Sequence, residues 1–258
     1  MLVLALDTAT PASTAGLVEI DDGGLRGVAE RRTVDPRAHG ERLAPEIAAV
    51  LSDAGARPGD LGAIVAGLGP GPFTGLRVGL ATAASMGQAL GIPTYGVCSL
   101  DGIGRAAGRG RVIVATDARR REVYFATYVD GVRVFGPEVA RPADVASILA
   151  AAATVERIRR QQGVGASAVS GSGAVDPGGA SAASVAGFVD RGAGEGVLKY
   201  GDILGVPVEE HLLYPPAAAL VALAADRVRE GAPSEALTPL YLRRPDAVEP
   251  GARKPVLT

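Results

Sequence analysis

The sequence predicts an α/β fold of two similar lobes, each ordered βββαβα. Three observations point there. Val3-Leu4-Ala5-Leu6-Asp7 is matched later in the chain by Ile113-Val114-Ala115-Thr116-Asp117. After each aspartate come a turn, a strand, a hairpin signal and a returning strand, over residues 13–32 in the first copy and 122–135 in the second. A helical pattern follows each hairpin.

The first strand, residues 2–6, is an unbroken apolar run, as expected where both faces of a sheet are covered. Residues 13–20 form the second strand. Asp21-Asp22-Gly23-Gly24 is a hairpin turn, and residues 25–33 return as the third strand. Leu43, Ile47, Val50, Leu51 and Ala54 then line one helical face. Pro45 interrupts the amide ladder there, so the regular helix is expected to begin or bend near Leu43. A strand over 61–66 leads into the turn Gly67-Leu68-Gly69-Pro70-Gly71-Pro72. A helix over 73–90 and a short strand over 93–97 follow. In the second copy the hairpin turns at Asp130-Gly131, and a helix is expected near 143–153. In residues 163–187, 19 of 25 are Gly, Ala or Ser, the composition of a flexible insertion. A short helix ending at Leu204, a strand over 206–209 and a helix over 217–229 complete the reading. The domain expectation is an N-terminal lobe (1–97) completed by a helix at about 216–230, and a C-terminal lobe (98–214) with an insertion at about 156–191. A tail (231–258), loose after Pro245, follows.

Composition narrows the function. Apolar residues make up 47% but aromatics only 4%, so the core is built from small aliphatic side chains. A net charge of -2 argues against a diffuse basic field for nucleic acid. Only Lys199 and Lys254 are lysines among the 26 basic residues, a bias attributable to GC-rich codons. The single cysteine, Cys98, excludes a disulfide framework and a cysteine-based zinc site. His39 and His211 lie too far apart for a local metal motif. The N-terminus is too short for a signal peptide, and the uncharged stretch 78–100 is broken by glycines and a proline. The expected location is therefore cytoplasmic, away from membranes.

Candidate sites each have a plainer reading. Asp7 and Asp117 end equivalent strands. Across a cleft between lobes, such residues can hold hydrated Mg²⁺ while backbone amides take phosphates. Asp7, Thr8 and Asp117 are thus nucleotide-contact candidates, although each aspartate can equally cap its own turn. The charged run Arg119-Arg120-Arg121 makes Asp117 the weaker of them. The 67–75 loop lacks the Gly-Lys-Ser/Thr of a Walker A motif, and Pro70 and Pro72 lack amides for phosphate. In the helix that follows, Gly75, Gly79, Ala83 and Gly87 recur every four residues. Glycine costs a helix interior up to about 1 kcal/mol, so the stripe needs a reason. Close approach of a partner helix is favoured over packing on the protein's own sheet, because Leu76, Leu80 and Leu90 already offer an internal apolar face. The expected partner face comprises Leu43, Ile47, Phe73, Thr74, Gly75, Leu76, Arg77, Gly79, Thr82 and Ala83. His39 reads as a surface or capping residue, His211 as structural and Cys98 as a buried thiol.

Several blocks together resemble the TsaB (YeaZ) family. They are Leu4-Ala5-Leu6-Asp7-Thr8-Ala9-Thr10, His39-Gly40-Glu41-Arg42-Leu43 with Pro45, and Gly69-Pro70-Gly71-Pro72-Phe73-Thr74-Gly75-Leu76-Arg77-Val78-Gly79. Gly194-Glu195-Gly196, residues 200–207 and Pro239-Leu240-Tyr241-Leu242-Arg243 fit as well. The resemblance implies an actin/Hsp70/sugar-kinase-like (ASKHA) fold. It also implies a role in forming N6-threonylcarbamoyladenosine (t6A) at position 37 of tRNAs that read ANN codons. In that scheme a TsaC-type enzyme makes threonylcarbamoyl-adenylate, and a TsaD-type enzyme transfers the group to tRNA. The TsaB-type member is a non-catalytic paralogue that pairs with TsaD, and a TsaE-type ATPase joins them. No cofactor of its own is implied, with ATP or ADP admitted only at the partner interface. tRNA is reached only through the complex, and a homodimer on the same helix face is the other assembly. TsaD-like proteins carry a metal-binding His-x-x-x-His, and Ser99 and Ile103 stand at the matching positions. Neither side chain replaces imidazole, so no catalytic and no metal residue is expected. The rival reading is an independent ATP-dependent kinase or hydrolase on the same fold. It would need a glycine-rich phosphate loop after Asp117, where Ala118-Arg119-Arg120-Arg121 stands instead.

Overall fold

The computed structural model describes residues 1–21, 23–161 and 185–243. The first lobe begins with the antiparallel meander β1 (Leu2–Asp7), β2 (Ala12–Asp21) and β3 (Gly24–Val34). It continues through α1 (His39–Asp53), β4 (Leu61–Gly67), α2 (Phe73–Leu90), β5 (Thr94–Val97) and α3 (Ser99–Ala107). The second lobe repeats the plan with β6 (Arg111–Asp117), β7 (Val123–Val129), β8 (Val132–Ala140), α4 (Val145–Gln161), β9 (Arg191–Ala193) and α5 (Glu195–Leu204). Helix α6 (Ala217–Arg229) follows. The sheets are ordered β3-β2-β1-β4-β5 and β8-β7-β6-β9. In each, the first strand of the lobe pairs antiparallel with the second and parallel with the fourth. This is the duplicated α/β architecture that the sequence predicts, in the element order that the resemblance implies.

Alternation along the strands sends side chains to both faces, and both faces are covered. Val3, Ala5 and Val18 pack with Leu220, Val221 and Ala224 of α6, whereas Leu4, Leu6 and Leu17 pack with Leu43, Ile47 and Val50 of α1 and Leu80 of α2. In the second sheet, Ile113, Ala115 and Phe125 meet Val145 and Leu149 of α4 and Val197 of α5. Val112, Val114 and Tyr128 meet Leu100 and Ile103 of α3 on the opposite face. Helices α3 and α6 therefore pack together between the two sheets. A Cβ on Gly102 would stand 2.7 Å from Leu220, and one on Gly104 would stand 2.4 Å from the Tyr128 ring.

The structure departs from the sequence reading at several places. Helix α1 starts at His39 and runs through Pro45 without a break. Glu41 and Pro45 both face solvent, so the one carbonyl that loses its amide partner is left to water. Helix α3 was not anticipated. Residues 206–209 contribute only the bridge of Val208 to Gly192, because the parallel partner of β6 is β9. Helix α4 begins after a 3₁₀ turn at Pro142–Asp144 and continues past residue 153. Most of the Gly/Ala/Ser stretch, residues 163–184, lies outside the described residues. At its end, Val185 and Val189 are buried against the second sheet, so packed structure resumes at Val185, before residue 191. The tail after Pro245 also lies outside them. Residues 232–243 form a strap along the first sheet's edge. The Glu235 amide donates to the Thr94 carbonyl and the Leu240 amide to the Leu68 carbonyl, both at 2.8 Å.

Candidate functional site

Asp7 ends β1, and its side chain points inward, with the residue 1% exposed. Its Oδ1 accepts the Ala9 amide at 3.0 Å, closing the turn, and its Oδ2 accepts the hydroxyl of Ser99 at the start of α3. Burial pushes the carboxyl up to about 6, against the opposing pull of the Ser99 and Ala9 hydrogen bonds. Gly67 is required beside it, since a Cβ there would stand 1.8 Å from Oδ2. Thr8 is fastened to α2: its hydroxyl donates to the Gly75 carbonyl at 2.8 Å and accepts the Gly79 amide at 3.0 Å. The head of α2 also covers the loop after Asp7, where a Cβ on Gly71 would meet the Ala9 carbonyl at 2.1 Å. Both residues thus hold the first lobe together and do not line an open cleft. This placement weakens the candidacy of Asp7 and Thr8 for nucleotide.

Asp117, the counterpart in the second lobe, is half-buried and already engaged. Lys199 donates to its Oδ2 at 3.0 Å, and its backbone amide donates to Glu195 Oε1 at 2.8 Å. Glu195 is held there by its neighbours. Gly194 adopts φ +93°, and a Cβ on it would meet the Ala115 carbonyl at 2.2 Å, so α5 starts hard against the end of β6. Burial pushes the Glu195 carboxyl up to about 7, and the nearby Asp117 charge adds to the rise. Across from it lie Tyr214 and Arg32, whose guanidinium is 5.7 Å from the Tyr214 ring centre. Sequence reasoning missed Glu195, Lys199 and Tyr200 as neighbours of Asp117. The paired glycines around Glu195 were the available signal. An Asp117 bound by lysine is a fastened turn, which weakens its candidacy for nucleotide.

The small-residue stripe of α2 faces inward, contrary to expectation. A Cβ on Gly79 would stand 2.4 Å from Thr8 Oγ1, and one on Gly87 would stand 2.4 Å from Thr94 Cγ2. Gly75 touches the Thr8 carbonyl and the His39 ring, and Ala83 lies in the same core as Leu43 and Ile47. Leu76 is fully buried as well. Leu43, Ile47, Gly75, Leu76, Gly79 and Ala83 are therefore internal packing residues and not partner contacts. Close approach does explain the glycines, but the neighbours are within the chain: Thr8 after β1, His39 of α1 and Thr94 of β5. Phe73, Thr74 and Arg77 remain on the outer face of α2, with Thr82 half-buried beside them. Phe73 is 47% exposed and stacks on Tyr241 of the strap at 5.3 Å, while the Arg77 guanidinium lies 3.7 Å above its ring.

His39 is buried, with its Nδ1 2.9 Å from the Ser13 hydroxyl, so it is neither surface nor cap. Burial lowers its pKa. His211 is exposed. Cys98 is a buried thiol, pushed up to about 12 by burial. Among the described residues no group of three or more His, Cys, Asp or Glu side chains could hold a metal ion. No helix among them is long and apolar enough to cross a membrane.

Residues 32–175 match the family model described as TsaD: tRNA N6-adenosine threonylcarbamoyltransferase. The chain is 45% identical over 246 residues to an uncharacterized protein of Mycobacterium leprae, covering 95% of this chain and 56% of that one. It is 37% identical over 132 residues to the tRNA threonylcarbamoyladenosine biosynthesis protein TsaB of Escherichia coli, covering 50% of this chain and 55% of that one. The chain thus spans little more than half the length of these two relatives. The solved structure of YeaZ from Pseudomonas aeruginosa superposes with a TM-score of 0.63 at 27% identity, covering 93% of this chain and 99% of that one. With the duplicated topology and the α2 motif in place, the chain belongs to the TsaD family and, within it, is of the TsaB/YeaZ type.

Proposed function

We propose that the chain is a non-catalytic subunit in the formation of t6A at position 37 of tRNAs reading ANN codons, and that it acts by docking a TsaD-type transferase. The observation that carries this reading is on α3. Ser99 and Ile103, at the positions of the transferase's metal-binding histidines, lie one helical turn apart on the buried face. The Ser99 hydroxyl donates a hydrogen bond to Asp7, and Ile103 is packed in the second sheet's core. Packing side chains at these matched positions support a subunit without the transferase's metal chemistry. The rival reading, an independent kinase or hydrolase, finds less support. The loop after Asp7 lies under the head of α2, and the loop after Asp117 is arginine-rich.

Docking uses the outer face of α2, where Phe73, Thr74 and Arg77 project and Ala81, Ala84 and Ser85 leave the helix surface low. Exposed aromatics and arginines are the residue types that dominate interface energetics. A TsaE-type ATPase joins this pair, ATP or ADP binds only at their interface, and tRNA is engaged by the assembly in the cytoplasm. A homodimer on the same face is the competing assembly. Co-purification with a TsaD-type transferase, followed by sizing, tests the docking. Phe73→Ala combined with Arg77→Glu should weaken association at least about tenfold with an unchanged circular dichroism spectrum. A folded variant that binds as tightly as the parent would refute the assigned face.

A further inference from the structure

We propose that the 119–121 loop, between β6 and β7, grips the phosphate backbone of tRNA. The inference rests on the t6A role above and gives the chain a direct contact with the substrate. Arg119, Arg120 and Arg121 have φ of 60°, 52° and 61°, three successive residues in the left-handed region. Glycine, asparagine and aspartate adopt that region most readily, and arginine has no such preference. A turn that only had to join two strands would be better served by those residues, so backbone geometry does not account for three arginines.

The loop is also braced from outside itself. The Ala118 amide donates to the Glu122 carbonyl and the Glu122 amide to the Arg119 carbonyl, both at 2.9 Å. Arg243 of the strap donates to the Ala118 carbonyl at 3.2 Å and pairs with Glu122. Of the flanking acids, Glu122 pairs with Arg243 and Asp117 with Lys199. All three arginine side chains are exposed. Residues 117–128 themselves expose no large apolar side chain, and the exposed Tyr241 of the strap is already stacked on Phe73. A protein partner would need an apolar centre at the turn itself. A fan of guanidiniums on a fixed turn suits successive phosphates instead, which arginine can bind in bidentate fashion. A net charge of -2 for the whole chain is compatible with this, because three positive charges in one turn make the contact local.

The test replaces all three arginines by asparagine, which keeps the left-handed turn and removes the charge. A triple lysine variant restores the charge. Labelled tRNA is titrated with the purified complex of chain and transferase, and with the chain alone, at several salt concentrations. The asparagine variant should lose at least about tenfold in tRNA affinity, and its slope of log K against log salt should flatten by about 2, with lysine restoring most of both. Unchanged affinity and slope would overturn the proposal. So would loss of transferase association with tRNA binding by the chain alone unaltered, which would make the loop a protein contact. If the parent chain never joins the transferase, the docking function fails. The loop is then still judged by the chain-alone titration.

Discussion

Gly79→Ala places one methyl group on the buried side of α2, where the new Cβ would stand 2.4 Å from Thr8 Oγ1 and 3.5 Å from Thr8 Cβ. On an exposed helix the same change would stabilise by about 1 kcal/mol. Here Thr8 must rotate or the 8–11 loop must shift. Either movement breaks the hydrogen bonds of Thr8 to the Gly75 carbonyl and the Gly79 amide, at about 1 kcal/mol each. Overpacking adds roughly 1–3 kcal/mol. After the gain in helix propensity, the net loss should be about 2–4 kcal/mol. Urea unfolding followed by circular dichroism measures it. Thr8→Ala removes the obstructing hydroxyl, so the double variant should be less destabilised than the sum of the two single changes. A Gly79→Ala chain as stable as the parent would refute the inward orientation of the stripe and return Gly79 to a partner surface.

Other outcomes follow from the buried groups. Asp7 is raised by burial from 3.8 to about 6, so the stability its protonated form contributes is complete below pH 3.8 and is lost as pH rises to about 6. Asp7→Asn does not ionise, and its stability relative to the parent should grow by up to about 3 kcal/mol between pH 4 and 7. A difference that is flat with pH would contradict the burial of that carboxyl. Cys98, buried and pushed up to about 12, should resist iodoacetamide at pH 8 in the folded chain and react promptly in urea. Rapid labelling of the native protein would show that the α3 end of the second core opens.

Much of this architecture was legible because local and global demands agree. Strands β1 and β6 read as apolar runs since helices cover both their faces. Helices α2 and α6 were bounded correctly because Pro72 and Pro216 precede them and Gly91 ends α2 in the left-handed conformation. Helix α3 was not legible, since Gly102 and Gly104 argue against a helix locally. Both are glycine because Leu220 and the Tyr128 ring occupy the space of their side chains, a fact fixed by distant parts of the chain. Strand β9 has only three residues, Arg-Gly-Ala, too few to show a period. The candidate sites failed for a related reason. Periodicity revealed the stripe from Gly75 to Gly87, but nothing local says which surface it meets. Its neighbour Thr8 is 71 residues from Gly79. Asp7 was visible as a strand-end acid, but its closure by Ser99, 92 residues away, was not.

The central claim is that this chain is a required, non-catalytic member of a t6A-forming assembly. Its most direct test is reconstitution with purified TsaC-, TsaD- and TsaE-type proteins, threonine, bicarbonate, ATP and an ANN-reading tRNA, scored by mass spectrometry of the nucleosides. The account predicts t6A only when the chain is present, and no t6A from the chain when the TsaD-type protein is left out. Modification that proceeds equally well without the chain, or that the chain supports without the transferase, would contradict it.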